Sequence, residues 1–267
     1  MDLKLLLNWR LHLLVILTSM FSEWIGIIRI PLGPGTLLLL PLLYAFIIGV
    51  LFNPHLFSAM GKAIPKPVSH AAGPIILIAI LPFIAKFGST IGPAIEQIIA
   101  AGPALILQEL GNLGTMLIAL PFAVLVLKMG REAIGATYSI AREPNIAIIS
   151  DRYGLRSPEG IGIMGVYVVG TMFGTLYFAL MAGYIASLDI LDIRALAMAC
   201  GVGSGSMVAA CSAALAEADE LLAFAGASNL LTYATGLYVS LFIALPVTEW
   251  MFTRLKGSRQ EVRHENS

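Results

Sequence analysis

The chain has 267 residues, 58% of them hydrophobic and only 12% charged, with 16 basic and 16 acidic side chains and zero net charge. A soluble domain carries about 25% charged residues, so a water-covered globule is excluded, as are a disordered chain and a basic nucleic-acid binder. Two cysteines and four scattered histidines form no disulfide framework, zinc cluster or cofactor motif, which leaves an integral membrane protein whose first partner is the lipid bilayer.

Stretches 30–61, 160–188, 195–216 and 221–248 contain no Asp, Glu, Lys or Arg. Each is long enough to cross a hydrocarbon layer, which takes roughly 20 helical residues. They are continuous in Leu, Ile and Ala and do not alternate, so they read as helices and not as strands of a barrel. The expected class is all-α: a polytopic helical membrane protein with discontinuous helices. One membrane domain over 1–256 is followed by a polar cytoplasmic tail over 257–267. Spanning helices are predicted near 11–29, 36–52, 71–87, 103–127, 159–186 and 222–252, with interrupted apolar pieces near 88–101, 131–149 and 190–217. The first helix ends Ile27-Ile28-Arg29-Ile30-Pro31, lacks a cleavage site, and reads as retained.

The first interruption in chain order is Gln108-Glu109-Leu-Gly111-Asn112-Leu-Gly114-Thr115. An ionisable residue at this depth points to function. Glu109 with Gln108, Asn112 and Thr115 offers oxygen ligands for Na⁺, or a carboxyl that carries a proton. The alternative is a loop at the membrane surface.

The second lies in 131–152, where two helical pieces are expected to meet at Glu143-Pro144-Asn145, because proline removes a donor and bends the chain. Thr137, Ser139, Glu143 and Asn145 are its candidate binding residues. A solvated hairpin tip at Arg142 and Glu143 is the competing reading.

The third is Gly201-Val-Gly203-Ser204-Gly205-Ser206, inside an uncharged run that ends at Glu217 and Asp219. Glycine costs about 1 kcal/mol against alanine within a helix, so this cluster marks a helix that opens. The helix restarting after it presents free N–H groups and a positive dipole end suited to an anion, with Ser204 and Ser206 as added donors. Close helix packing by small residues is the alternative, and it is the expected role of Cys200 and Cys211. A shift of 74 residues lays Ala136 on Ala210, Glu143 on Glu217 and Asn145 on Asp219, a weak sign of an inverted repeat.

Basic residues fall in four groups: Lys4 and Arg10, Lys62 and Lys66, Lys128 to Arg156 (Arg142 among them), and Arg254 to Arg263. Six full crossings put all four on one side, so both termini are expected in the cytoplasm.

The run Arg131-Glu-Ala-Ile-Gly-Ala-Thr-Tyr-Ser-Ile-Ala-Arg-Glu-Pro-Asn145, followed by Tyr153-Gly154-Leu155 and Ser157-Pro158-Glu159-Gly160, resembles an uncharacterised bacterial membrane-protein family of unknown function. A more distant likeness is to the LrgB/CidB family, which includes the plastid glycolate/glycerate translocator. It rests on Ile146–Gly154, Gly165–Leu180 and Gly201–Glu217 with Ala223-Phe224-Ala225-Gly226. That family's His-bearing stretch is here Gly203-Ser204-Gly205-Ser206, so substrate and coupling ion do not transfer. The resemblance implies an inverted-repeat carrier with a bile-acid-symporter-like architecture in a bacterial inner membrane.

These readings lead to a secondary transporter for a small organic anion, a carboxylate, working by alternating access and coupled to Na⁺ or H⁺. Substrate would meet Gly203, Ser204, Gly205, Ser206, Asn112, Thr137 and Ser139. The coupling ion would meet Gln108, Glu109, Glu143, Asn145, Glu217 and Asp219. A holin-like pore or regulator of wall lysis is the alternative. No catalytic triad or paired-carboxylate motif suggests an enzyme, no cofactor is expected, and a homodimer is possible.

Overall fold

The computed structural model describes residues 7–33, 35–54, 57–59, 64–65, 82, 85, 89, 92–215 and 219–265. The predicted helix at 71–87 and the candidate Glu217 lie outside the described residues, and Asp219 is placed only as the backbone start of a helix.

Helix α1 (Trp9–Ile25) is capped by Asn8, whose side chain accepts from the N–H groups of Arg10 and Leu11. It is shorter than predicted. Gly26 turns the chain at φ 74° and a two-stranded antiparallel hairpin follows, β1 (Ile28–Leu32) and β2 (Gly35–Leu39). The all-helical expectation fails here because Gly26, Pro31, Gly33 and Gly35 within ten residues oppose helix. Pro31 stands in β1, whose outer edge is unpaired among the described residues, where its missing N–H costs no ladder bond. Helix α2 (Pro41–Leu51) completes this part and packs on α1.

A short helix α3 (Ile95–Ala100) leads into α4 (Gly102–Val126), and α7 (Pro158–Ser187) and α10 (Glu220–Lys256) are the other long helices among the described residues. These three are long and apolar enough to cross a membrane. Their outward residues are large and apolar: Ile118 is 76% exposed, Phe173 61% and Phe242 70%. Water disfavours so much exposed apolar surface, whereas lipid suits it. Each long helix contains one five-residue π turn, at Phe122–Val126, Gly170–Gly174 and Ser240–Ala244.

Between the long helices run two broken ones. Helix α5 (Glu132–Thr137) and α6 (Arg142–Arg152) form the first, α8 (Ile193–Cys200) and α9 (Gly205–Leu215) the second. The glycine-rich opening predicted near 201–205 is present. The break in the first segment lies at residues 138–141, earlier than Glu143-Pro144-Asn145. Pro144 sits in the first turn of α6, where backbone N–H groups have no helical acceptor, so proline loses nothing there.

The expected interruption at 108–115 is absent, since α4 runs through it. Gly111 and Gly114 meet nothing within 4 Å, so they neither turn the chain nor admit a neighbour. The 74-residue repeat register also fails. It would lay the 138–141 break on 212–215, which is inside α9. Cys200 and Cys211 do more than pack: they form a disulfide joining the end of α8 to the middle of α9 across the opening.

Two apolar cores anchor opposite ends. One holds Leu120, Ile134, Tyr138, Ile149, Ile163, Leu245 and Phe252, the other Ile98, Leu105, Met198, Leu221 and Phe224. Both α4 and α10 travel from the second core to the first, so their middle turns lie between the two.

Candidate functional site

The two breaks meet each other. The N–H of Arg142, first residue of α6, donates to the carbonyl of Gly203 at 3.0 Å. Gly203 has φ +80°, and a Cβ there would stand 3.0 Å from the carbonyl oxygen of Ile140. Glycine is thus required twice over, by the left-handed turn and by the close crossing.

The Arg142 guanidinium points from this crossing towards α7. It donates to Ser204 Oγ at 3.1 Å, to the Tyr167 carbonyl at 2.6 Å and to Thr171 Oγ1 at 2.8 Å, and its Cζ lies 4.9 Å from the Tyr167 ring centroid. Tyr167 and Thr171 flank the start of the π turn in α7, and a π turn withdraws backbone groups from the regular ladder. All three acceptors are neutral. None of the ion pairs among the described residues involves Arg142, although the charge of neighbouring Glu143 acts on it. Arg142 borders a cavity of about 170 Å³, with Thr115, Ala119, Thr137, Ser139 and Tyr167 also in its lining. A half-buried guanidinium over a small cavity with no bonded carboxylate is suited to a carboxylate ligand.

The remaining candidates of the two breaks are close by. Glu143 Oε2 accepts from Tyr233 OH at 2.6 Å, and that hydroxyl accepts from the N–H of Gly205 at 3.4 Å. The free end of α9 is therefore linked through Tyr233 to a carboxylate of the protein itself. Ser204 and Ser206 share a hydrogen bond at 3.1 Å, and Asn145 Nδ2 donates to Ser139 Oγ at 3.2 Å. Glu143 and Asn145 are buried, which contradicts the solvated hairpin tip. Arg142 likewise does not belong with the surface cations. Thr137 gives its hydroxyl to the carbonyl of Ala133, so it lines the cavity without a free proton.

Glu109 and Gln108 belong to a second polar patch, between α4 and α10. Glu109 accepts from Thr232 Oγ1 at 2.6 Å, Thr235 Oγ1 at 2.5 Å and Asn112 Nδ2 at 3.3 Å. Gln108 Oε1 accepts from Ser228 Oγ at 2.7 Å, and Asn229 Nδ2 donates to the Gly201 carbonyl at 2.9 Å. The patch therefore reaches the opening of the α8–α9 segment.

At the end held by the first core lies a third cluster. Arg131 Nε and Glu159 Oε1 are 2.5 Å apart, Arg152 Nη2 and Glu249 Oε2 3.5 Å, and Tyr153 donates to Glu249 Oε1. The Tyr153 phenol is pushed up to about 12, chiefly by burial and further by its bond to Glu249 and that carboxylate's charge. Helices α5 and α7 approach closely beneath this cluster: a Cβ on Gly135 would stand 1.9 Å from the Glu159 carbonyl oxygen.

Sequence reasoning missed Arg142, Tyr167 and Thr171 as partners, and Ser228, Tyr233 and Thr235 on α10; of that face it singles out only Asn229 and Thr232, which could face a cavity or serve polar packing. The signal for that face was present as polar residues at helical spacing within an uncharged run.

A family model described as "Protein of unknown function (DUF3100)" matches residues 20–254. The chain belongs to that family. No curated protein matches the chain. No solved structure matches it. The LrgB/CidB likeness therefore rests on its sequence pattern alone.

Proposed function

We propose that the chain, a member of this family of unknown function, is a secondary active transporter, which moves a small organic anion across a bacterial inner membrane by alternating access. The observation that carries the reading is Arg142, set where two broken helices cross, bonded only to neutral groups, and bordering the 170 Å³ cavity. A guanidinium at such a position is costly in lipid. It is retained where a ligand's negative charge completes it. The crossing lies between the two apolar cores, and broken-helix carriers hold substrate between the two ends of the helix bundle, near the bilayer midplane.

This reading shifts the substrate contact from the α9 end to Arg142, with Ser204 bridging the two breaks and Ser139 and Thr115 on the cavity wall. Gly203, Gly205 and Ser206 shape and support the opening. Glu109 and its neighbours hold the coupling cation, Na⁺ or H⁺. The Arg131–Glu159 and Arg152–Glu249 pairs close one end, and their opening and closing belongs to alternating access.

A thermal-unfolding screen of the purified protein tests the binding step. Small carboxylates should raise the unfolding midpoint of the wild type by mass action and leave Arg142→Gln unmoved. A folded wild type that no small carboxylate stabilises would remove the main support.

The holin-like alternative predicts passive leakage of solutes. Both ends of α4 and α10 pack into apolar cores, which favours the carrier.

A further inference from the structure

The patch between α4 and α10 leaves two buried amide atoms without a partner among the described residues, the Asn229 oxygen and the Gln108 nitrogen, beside a carboxylate that no cation of the protein contacts there. Glu109 is a carboxylate within the first third of a 25-residue apolar helix, and no ion pair among the described residues includes it. Its hydrogen bonds come from neutral groups, Thr232, Thr235 and Asn112. The Thr235 hydroxyl, with one proton, is also within bonding distance of the Leu231 carbonyl at 2.8 Å. One turn before Thr232, Asn229 is fully buried; its amide nitrogen is taken by the Gly201 carbonyl, and its Oδ1 has no hydrogen-bond partner among the described residues. A buried amide oxygen without a donor has lost its hydration with nothing in return.

We propose that Glu109, Thr232, Thr235 and Asn229 Oδ1 form a sodium site, set against the Gly201 opening of the α8–α9 segment. A proton on Glu109 would neutralise the carboxylate and leave Asn229 Oδ1 as it is. A small hard cation gathers several oxygens at once, hydroxyl, amide and carboxylate alike. With a single carboxylate, the site matches one positive charge. The place of the ion in coupling rests on the carrier reading, but its binding does not.

Sodium binding is therefore measured without any substrate. Purified protein is unfolded thermally in NaCl, KCl or choline chloride at equal ionic strength, and ²²Na⁺ binding is measured on the same samples. Sodium should raise the midpoint by a few degrees, saturably, with potassium and choline ineffective. Thr232→Val and Asn229→Ala should each weaken ²²Na⁺ binding at least tenfold. Should a variant fail to stay monodisperse, the wild-type cation comparison decides by itself. Equal midpoints in all three salts with no ²²Na⁺ retained would overturn the proposal. So would a midpoint that follows pH and ignores sodium, which would make Glu109 a proton carrier and leave the transporter reading standing.

Discussion

At the scale of single residues, the side chains set apart are those whose charge is not matched by an opposite charge in contact. Arg142 is held by Ser204, Tyr167 and Thr171, all neutral. Arg142→Gln should lower carboxylate uptake by roughly 10–100-fold, the equivalent of losing a charged hydrogen bond of about 1.5–3 kcal/mol. Arg142→Lys should be impaired too, since an ammonium cannot reproduce the planar fork. Initial uptake rates at matched protein density check both. Tyr153 makes an independent prediction. Its phenol is held neutral to about 12 in the fold and to about 10 when unfolded. The raised value means that the stability it contributes is complete below about pH 10 and is lost between about pH 10 and pH 12. Thermal unfolding of wild type and Tyr153→Phe over that window should show a steeper alkaline loss in the wild type. Parallel curves would assign the loss to other groups.

At the scale of elements, the telling contrast is between glycines that open a helix and glycines that only weaken one. Gly203 turns at φ +80° against the Ile140 carbonyl, whereas Gly111 sits in continuous helix with open space around it. Gly203→Ala should destabilise by about 1 kcal/mol or more, and Gly111→Ala should stabilise by roughly 0.5–1 kcal/mol. The two shifts in unfolding midpoint should have opposite signs. This contrast also marks how far the sequence could be read. Clustered glycine beside serine at 201–206 was legible as a break because its cost adds up locally. The run 108–115 carries similar residues yet stays helical, because Thr232 and Thr235 on α10 satisfy Glu109 from outside. Such partners, more than 120 residues away, leave no local signature. The 26–39 hairpin was misread as helix ends because its apolar residues mask a turn composition. The Cys200–Cys211 bridge was missed because eleven residues of spacing gives no orientation.

At the scale of the whole molecule, scarce charge had identified a chain suited to lipid, and the exposed apolar faces of α4, α7 and α10 agree. What composition could not supply was where the remaining charges go. Arg142 was grouped with the surface cations of 128–156, but the fold takes it to the crossing of the two breaks, between apolar cores at either end. That placement carries the proposal of a carrier. Its most direct test is uptake of radiolabelled small carboxylates into proteoliposomes under an imposed Na⁺ or H⁺ gradient, for wild type and Arg142→Gln. The account predicts gradient-driven accumulation of at least one carboxylate by the wild type, and its loss in Arg142→Gln. Folded wild-type protein that accumulates no carboxylate under either gradient, or accumulation untouched by Arg142→Gln, would contradict it.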